Sequence, residues 1–174
     1  IFHLSAQKTY EYLTSRDDLI TKDILESLIK KDVKLQSYVD FAFNNILFKS
    51  NDDLQPEYNG QQLINSKVIV SYLKQLSRND IQYAPFQMIA MEKFISEDFP
   101  IIINGKKLNL RFGGIIDRID RKEDTLRIVD YKTGGTPETP ANLEALFTPS
   151  KKRPSHIFQT FLYASIQCKK ESLK

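Results

Sequence analysis

Three charged side chains in two short segments of the chain could carry out chemistry together. Asp117 ends the segment Gly114–Asp117, and Asp130 and Lys132 stand on either side of Tyr131 further along the chain. Residues two apart on a strand point to the same side of a sheet, so Asp130 and Lys132 should share a face. Because residues opposite one another in a hairpin lie about 5 Å apart, Asp117 should point into the same small volume.

The chemistry expected of this trio is metal-assisted hydrolysis of a phosphodiester. Two carboxylates held so close repel each other unless a cation lies between them. With few histidines in the chain, such oxygen ligands favour Mg²⁺ or Mn²⁺ over zinc. A neighbouring lysine can activate a bound water and stabilise charge on a phosphate. From spacing alone, a surface ion pair between Asp130 and Lys132 remains the alternative interpretation.

Helices are predicted to form the first part of the chain, residues 1–80. Apolar residues recur there at helical spacing in separate segments. The stripes are Ala6, Tyr10 and Leu13; Ile24, Leu25, Leu28 and Ile29; Leu35, Tyr38, Val39, Ala42 and Ile46; and Leu63, Ile64, Val68, Tyr72 and Leu76.

Strands are predicted to follow, and they must position the three charged residues. The segment Phe86–Ile103 is rich in Phe, Ile and Met, and Asn104-Gly105 behind it is a strong hairpin signal. Further strands are expected over Leu108–Asp120 and Leu126–Lys132, with a turn at residues 121–124. The order of elements predicts an α/β domain in which helices pack on a mixed sheet.

A long irregular loop and a closing helix are predicted after the last strand. The segment Gly134–Pro154 is rich in proline and glycine, and long loops in compact domains are often functional. Ser155 is the expected N-cap of the last helix, whose predicted buried stripe is Ile157, Phe161 and Ala164.

The bulk properties fit one globular domain. A length of 174 residues, with 41% hydrophobic and 27% charged residues, predicts a single domain over residues 1–174, with 81–174 as the sheet core and closing helix. The net charge of +3 does not by itself indicate nucleic-acid binding. A single cysteine, Cys168, excludes an intramolecular disulfide and fits a reducing compartment such as the cytoplasm. The sequence contains no apolar run of the length that a membrane-spanning helix requires. Because the chain begins with Ile1, we expect it to be part of a longer protein.

The charged trio lies in motifs that resemble those of the PD-(D/E)XK nuclease superfamily. The pattern Gly-x-Ile-Asp at Gly114–Asp117 is followed by hydrophobic-Asp-Tyr-Lys-Thr-Gly at residues 129–134. Within the superfamily the chain resembles the RecB-like branch, which includes the nuclease domains of AddB-type helicase–nuclease subunits. Gln159 and Tyr163 match the Gln-x-x-x-Tyr signature of that branch, and His3 matches its histidine on an early helix.

The resemblance implies a role for each of these residues. The implied metal ligands are Asp117, Asp130, the main-chain carbonyl of Tyr131, and His3. Lys132 would activate the nucleophilic water, while Gln159 and Tyr163 would position DNA or brace the site. The implied fold is a restriction-endonuclease-like mixed sheet flanked by helices. The implied protein is a Mg²⁺- or Mn²⁺-dependent DNA exonuclease of repair or recombination, with a helicase subunit or domain as partner.

A non-catalytic DNA-binding or assembly module of a helicase–nuclease complex is the alternative function. Gln7 favours it, because some related domains carry a glutamate at that place after the histidine. The complete set of Asp117, Asp130 and Lys132 favours the nuclease, because a binding module does not need it.

Three further charged residues near the motifs are expected to lie outside the chemistry. Glu92 is expected to be a solvated charge on a strand, and an approach to the site is the alternative. Arg118 and Asp120 stand at odd offsets from Asp117 and should therefore face away from it, as a structural or DNA-facing pair.

Overall fold

The structure is a computed structural model that describes residues 1–15, 17–50, 56–134, 139–148 and 155–172, with side chains as far as residue 170. The chain forms two compact units, residues 1–89 with 120–127, and residues 90–119 with 128–174. The single domain expected over the whole chain stays a prediction. No helix in the described ranges has the length and apolar character that crossing a membrane requires.

Helices form most of the first unit, as predicted for residues 1–80. They are α1 Phe2–Thr14, α2 Lys22–Ile29, α3 Asp32–Phe43 and α4 Gly60–Tyr83, with a π-helical turn at Asn44–Phe48. Asn59 and Gln62 form a capping box at the start of α4, which satisfies backbone N–H groups that have no partner inside the helix. The predicted stripes of α1, α2 and α3 supply buried residues such as Tyr10, Leu28 and Val39.

The predicted buried stripe of α4 is wrong. Four of its five apolar residues are exposed, namely Leu63, Ile64, Val68 and Tyr72. The buried residues are Ser66, Val70, Leu73, Ser77 and Asp80. The Ser66 and Ser77 hydroxyls are satisfied because they donate to carbonyl oxygens of their own helix at 2.9 Å. A polar face can therefore be buried, because its groups are hydrogen-bonded.

The sheet consists of consecutive strands that lie side by side. They are β1 Leu19–Ile20, β2 Phe86–Ile103, β3 Lys106–Lys122 and β4 Thr125–Val129, in the order β1-β2-β3-β4. The strand β1 pairs with β2 in antiparallel orientation, with Ile20 opposite Phe86. The predicted hairpin after β2 is confirmed, since Asn104 and Gly105 have φ values of 50° and 74°. The α/β fold class is confirmed, and its described strands form a meander where a mixed sheet was expected.

The last helix, α5, covers Ser155–Ser172 as expected, but its predicted buried stripe is wrong. Phe161 is 63% exposed, whereas Tyr163, Ile166 and Gln167 are buried. The predicted loop before α5 is described over residues 139–148, where Glu144–Leu146 forms a short 3₁₀-helix. Residues 135–138 and 149–154 of that loop lie outside the described residues, so the N-cap at Ser155 stays a prediction.

A network of hydrogen-bonded charged side chains lies within the first unit. The Arg127 guanidinium donates two hydrogen bonds of 2.9 Å to the Asp120 carboxylate and one of 3.1 Å to Asp80. Tyr10 donates its hydroxyl to the other oxygen of Asp80. The guanidinium carbon also lies 3.6 Å from the centre of the Tyr83 ring, a favourable cation–π arrangement. Asp120 is therefore a structural residue of this unit.

Candidate active site

The segment that carries Asp117 packs too closely on its surroundings for any side chain larger than glycine at two positions. A Cβ atom on Gly113 would lie 2.3 Å from the carbonyl oxygen of Ile95, and one on Gly114 would lie 2.2 Å from the Tyr163 hydroxyl oxygen. Both distances are well below van der Waals contact. The glycines therefore allow β3 to approach β2 and α5, and the Gly-x-Ile-Asp pattern has a steric cause in this fold.

Asp117 lies beside the segment that carries the other two charged residues. Its side chain is almost fully buried, with 8% exposed. Its Oδ2 atom accepts a hydrogen bond of 2.6 Å from the main-chain N–H of Tyr131. A charged acceptor makes this a short and strong bond, so the carboxylate has a fixed orientation. The structure thus brings Asp117 to the backbone of Asp130-Tyr131-Lys132.

Asp130 and Lys132 contact each other directly. The Lys132 Nζ atom lies 2.6 Å from Asp130 Oδ2, and the lysine side chain is 50% exposed while that of Asp130 is 13% exposed. The strand β4 ends at Val129, so both residues follow the strand, whereas the sequence predicted that they lie within it. The ammonium group is thus held by Asp130 and still faces solvent, where a phosphate can reach it. Their catalytic roles stay a prediction.

Gln159 and Tyr163 form a hydrogen-bonded pair on α5. The Gln159 side-chain amide donates to the Tyr163 hydroxyl at 2.8 Å, as residues one helical turn apart can do. Tyr163 is buried, with 4% exposed, and its hydroxyl lies against Gly114 of β3. The pair therefore connects α5 to the strand that carries Asp117, which suits a bracing role.

Of the two interpretations of Glu92, a solvated strand charge and a residue that approaches the site, the structure supports the second. One of its carboxylate oxygens lies within 4.8 Å of a carboxylate oxygen of Asp117, and its Oε1 atom is buried. Its backbone has a φ of 48°, in the left-handed region. The sequence favoured the solvated charge because a glutamate in a strand gives no signal of a left-handed conformation, which is uncommon outside glycine, asparagine and aspartate.

The remaining candidates are placed as follows. His3 lies in α1, within the first unit, and its role as a ligand stays a prediction from the resemblance. Arg118 and Asp120 are completely buried. Of the two roles considered for these residues, the structural one is confirmed for Asp120 by its bonds to Arg127, and burial removes both from contact with DNA.

The donor groups of the second unit fit a hard divalent cation. Carboxylates of Asp117 and Glu92 lie close together, and like charges at such separations are stabilised by a cation between them. Carboxylate and carbonyl oxygens are the ligands that Mg²⁺ and Mn²⁺ prefer. The chemistry of the site therefore agrees with a metal ion bound at Asp117.

Comparison with known proteins agrees with the motifs. A sequence model of the PD-(D/E)XK nuclease superfamily matches residues 1–173, nearly the whole chain. The matched region includes both helices and strands, and it contains every residue of the candidate site. No curated protein and no solved structure matches the chain.

Proposed function

Because the chain belongs to the PD-(D/E)XK nuclease superfamily, we propose that it is a metal-dependent DNA nuclease that hydrolyses phosphodiester bonds. Nucleases of this superfamily generally use divalent metals. The observation that carries the proposal is the 2.6 Å hydrogen bond from Tyr131 N–H to Asp117. It joins the two motifs, and it gives the Asp117 carboxylate a fixed orientation beside Asp130 and Lys132.

The proposed ligands of a Mg²⁺ or Mn²⁺ ion are Asp117, Asp130, the main-chain carbonyl of Tyr131, and His3. When bound, such an ion supplies positive charge that makes a water more acidic and neutralises a phosphate. The protein fixes the ligands beforehand. Tyr131 holds Asp117 through its N–H, and the side chain of Lys132 holds that of Asp130.

Lys132 is the proposed general catalyst. Its Nζ atom is fixed by the 2.6 Å contact with Asp130, and half of its side chain remains accessible. From this position the ammonium group can activate the attacking water by orienting it, and it can stabilise negative charge on the phosphate under attack. Gln159 and Tyr163 are proposed to brace the site and to position the DNA strand.

The finer proposal follows the resemblance to the RecB-like branch. In this proposal the protein is an exonuclease that acts in DNA repair or recombination in the cytoplasm. Its partner is a helicase subunit or a helicase domain. The alternative is a non-catalytic DNA-binding or assembly module, which the substitution of Gln7 for the glutamate of some relatives favours. Linear and circular substrates separate exonuclease from endonuclease, because only an endonuclease cuts a closed circle.

The test compares DNA cleavage by the wild type and by two lysine variants. Linear single-stranded, linear double-stranded and circular DNA are incubated with Mg²⁺ or Mn²⁺, with EDTA as the metal-free control. We expect the wild type and Lys169→Ala to degrade linear DNA and Lys132→Ala to fail. Lys169 is a matched control because it also pairs with a carboxylate, that of Glu97, and is also 50% exposed.

Two results would count against the proposal. Equal degradation by the wild type and Lys132→Ala would remove the proposed mechanism. Binding of DNA by a wild-type protein that degrades none of the substrates would instead support the non-catalytic module. Calorimetric titration of Mn²⁺ into Asp117→Ala adds an independent check, because loss of this ligand should abolish the binding heat.

A further inference from the structure

We propose that Glu92 supplies an additional carboxylate oxygen to the divalent ion held by Asp117, an inference that rests on the proposed function. The sequence motifs do not include this residue. The inference comes from the distance between two carboxylates, those of the buried Asp117 and the half-buried Glu92, and from an unusual backbone conformation in the middle of β2.

The distance between the two carboxylates suits a shared ion. Oxygens bound to opposite sides of one Mg²⁺ lie about 4.2 Å apart, since each Mg–O distance is about 2.1 Å. Oxygen atoms of Glu92 and Asp117 lie within 4.8 Å of each other. The upper bound of 4.8 Å therefore includes the separation that two ligands of one ion adopt.

The backbone at Glu92 adopts a conformation that the amino acid itself disfavours. Its φ of 48° lies in the left-handed region although the residue is within the strand β2. Such local strain persists only where the surrounding structure holds it, and it is concentrated at functional sites. A local departure from regular strand geometry also redirects a side chain, as bulges beside active sites do. The conformation therefore has a functional explanation if Glu92 must reach the ion.

A second glutamate on the same strand shows what an ordinary charge on β2 looks like. Glu97 forms an ion pair with Lys169 of α5. Glu92 approaches the buried carboxylate of Asp117. Bringing two carboxylates together out of water raises the energy of the charged pair, and a divalent cation removes that repulsion. The two glutamates of β2 thus differ in one neighbour: Glu97 contacts an ammonium group, and Glu92 lies close to a second carboxylate.

The experiment measures metal binding rather than cleavage. Mn²⁺ is titrated calorimetrically into the wild type, Glu92→Gln and the matched control Glu97→Gln, and far-UV circular dichroism confirms that each variant is folded. We expect Glu92→Gln to bind Mn²⁺ at least about 10-fold more weakly, in the range found when groups that support a metal site are removed. Glu97→Gln should bind like the wild type. Equal affinity of the wild type and Glu92→Gln would overturn the inference.

A second variant separates a metal ligand from a structural residue. Glu92→Gly removes the carboxylate and also relieves the left-handed backbone, because glycine adopts positive φ readily. We expect its metal-free melting temperature to equal or exceed that of the wild type, while Mn²⁺ stabilises it much less. A lower metal-free melting temperature with full stabilisation by Mn²⁺ would make Glu92 structural and would overturn the inference.

The two proposals can fail separately. If Lys132-dependent DNA cleavage is found while Glu92→Gln binds Mn²⁺ normally, only the inference about Glu92 fails. If no DNA is cleaved but Mn²⁺ binding depends on Glu92 and Asp117, the nuclease proposal fails and the metal site stands. A wild type that binds no Mn²⁺ would overturn both.

Discussion

Asp117 and Asp120 belong to the same strand, and both are almost completely buried, yet their surroundings differ in kind. Asp120 receives two hydrogen bonds of 2.9 Å from the Arg127 guanidinium, so its charge is balanced within the protein. Asp117 is held by a main-chain N–H and lies near the carboxylate of Glu92. Burial alone therefore does not tell the structural role of Asp120 from the role of metal ligand proposed for Asp117, and the variants below compare the two residues directly.

The largest effect is expected for Lys132→Ala, which should reduce the rate of DNA cleavage strongly and the stability of the protein only slightly. If the ammonium stabilises charge in the transition state, its loss should slow DNA cleavage by roughly 10³-fold, about 4 kcal/mol. The free energy of unfolding should change by less than about 0.5 kcal/mol, because the side chain lies at the surface. Single-turnover cleavage rates and urea denaturation measure the two effects. A loss of stability comparable to the loss of activity would place Lys132 with the structural charges.

Replacement of Asp120 should, in contrast, mainly lower the free energy of unfolding. Asp120→Asn leaves Arg127 and its neighbour Asp80 without their balanced partner, and breaking such a buried pair costs about 3 kcal/mol. We take the lower end of the usual range because the Arg127 side chain is 28% exposed. Asp117→Asn should cost about 1 kcal/mol, since an amide oxygen can still accept the Tyr131 N–H bond. Equal destabilisation by the two variants, measured by urea denaturation, would contradict the distinction between them.

The sequence predicted the features that depend on neighbours along the chain. Positive φ at Asn104-Gly105 is a local requirement, and it fixed the hairpin between β2 and β3. The residue types of Phe86–Ile103 gave the full extent of β2. Similarly, the spacing of Asp130 and Lys132 brought them together although neither lies within β4, because their separation in sequence is so short.

The features that depend on distant partners could not be predicted. Asp80 is buried on α4 because Tyr10 and Arg127 donate to it, and no periodicity of the helix contains that information. The apolar stripe of α4 was misassigned for this reason. Glu92 is a similar case, since its closeness to Asp117 depends on the pairing of two strands and not on its neighbours in sequence.

The close contact between Gly114 and Tyr163 predicts a loss of stability of intermediate size when Gly114 is replaced. Gly114→Ala places a Cβ atom 2.2 Å from the tyrosine hydroxyl oxygen and 3.0 Å from its Cζ atom, and overpacking of this kind costs about 1–3 kcal/mol. Gly134→Ala is the matched control, because nothing lies within 4 Å of that position. Tyr163→Phe combined with Gly114→Ala should recover part of the stability, since it removes the nearest atom. Additive effects of the two changes would show that the contact does not exist in solution.

The smallest effect on stability is expected for an exposed ion pair with the same two-bond geometry as the Asp120–Arg127 pair. Arg111 donates to Asp98 from Nε at 2.7 Å and from Nη2 at 2.9 Å, but their side chains are 71% and 48% exposed. Solvent screens such pairs, so Arg111→Ala should lower the unfolding midpoint far less than Asp120→Asn does. Burial around the pair, rather than its two-bond geometry, would then set the contribution to stability.

The pH dependence of the unfolding midpoint of Arg111→Ala, compared with that of the wild type, tests this explanation. The hydrogen bond from Arg111 holds the pKa of Asp98 below its ordinary value of 3.8. The folded pKa is the lower one, so the stabilisation is present above pH 3.8 and is lost as the pH falls through the lowered pKa. The small difference in unfolding midpoint between the wild type and Arg111→Ala should therefore persist at neutral pH and disappear in strong acid. A difference that is large or independent of pH would mean that Arg111 stabilises the hairpin of β2 and β3 by packing rather than by its charge.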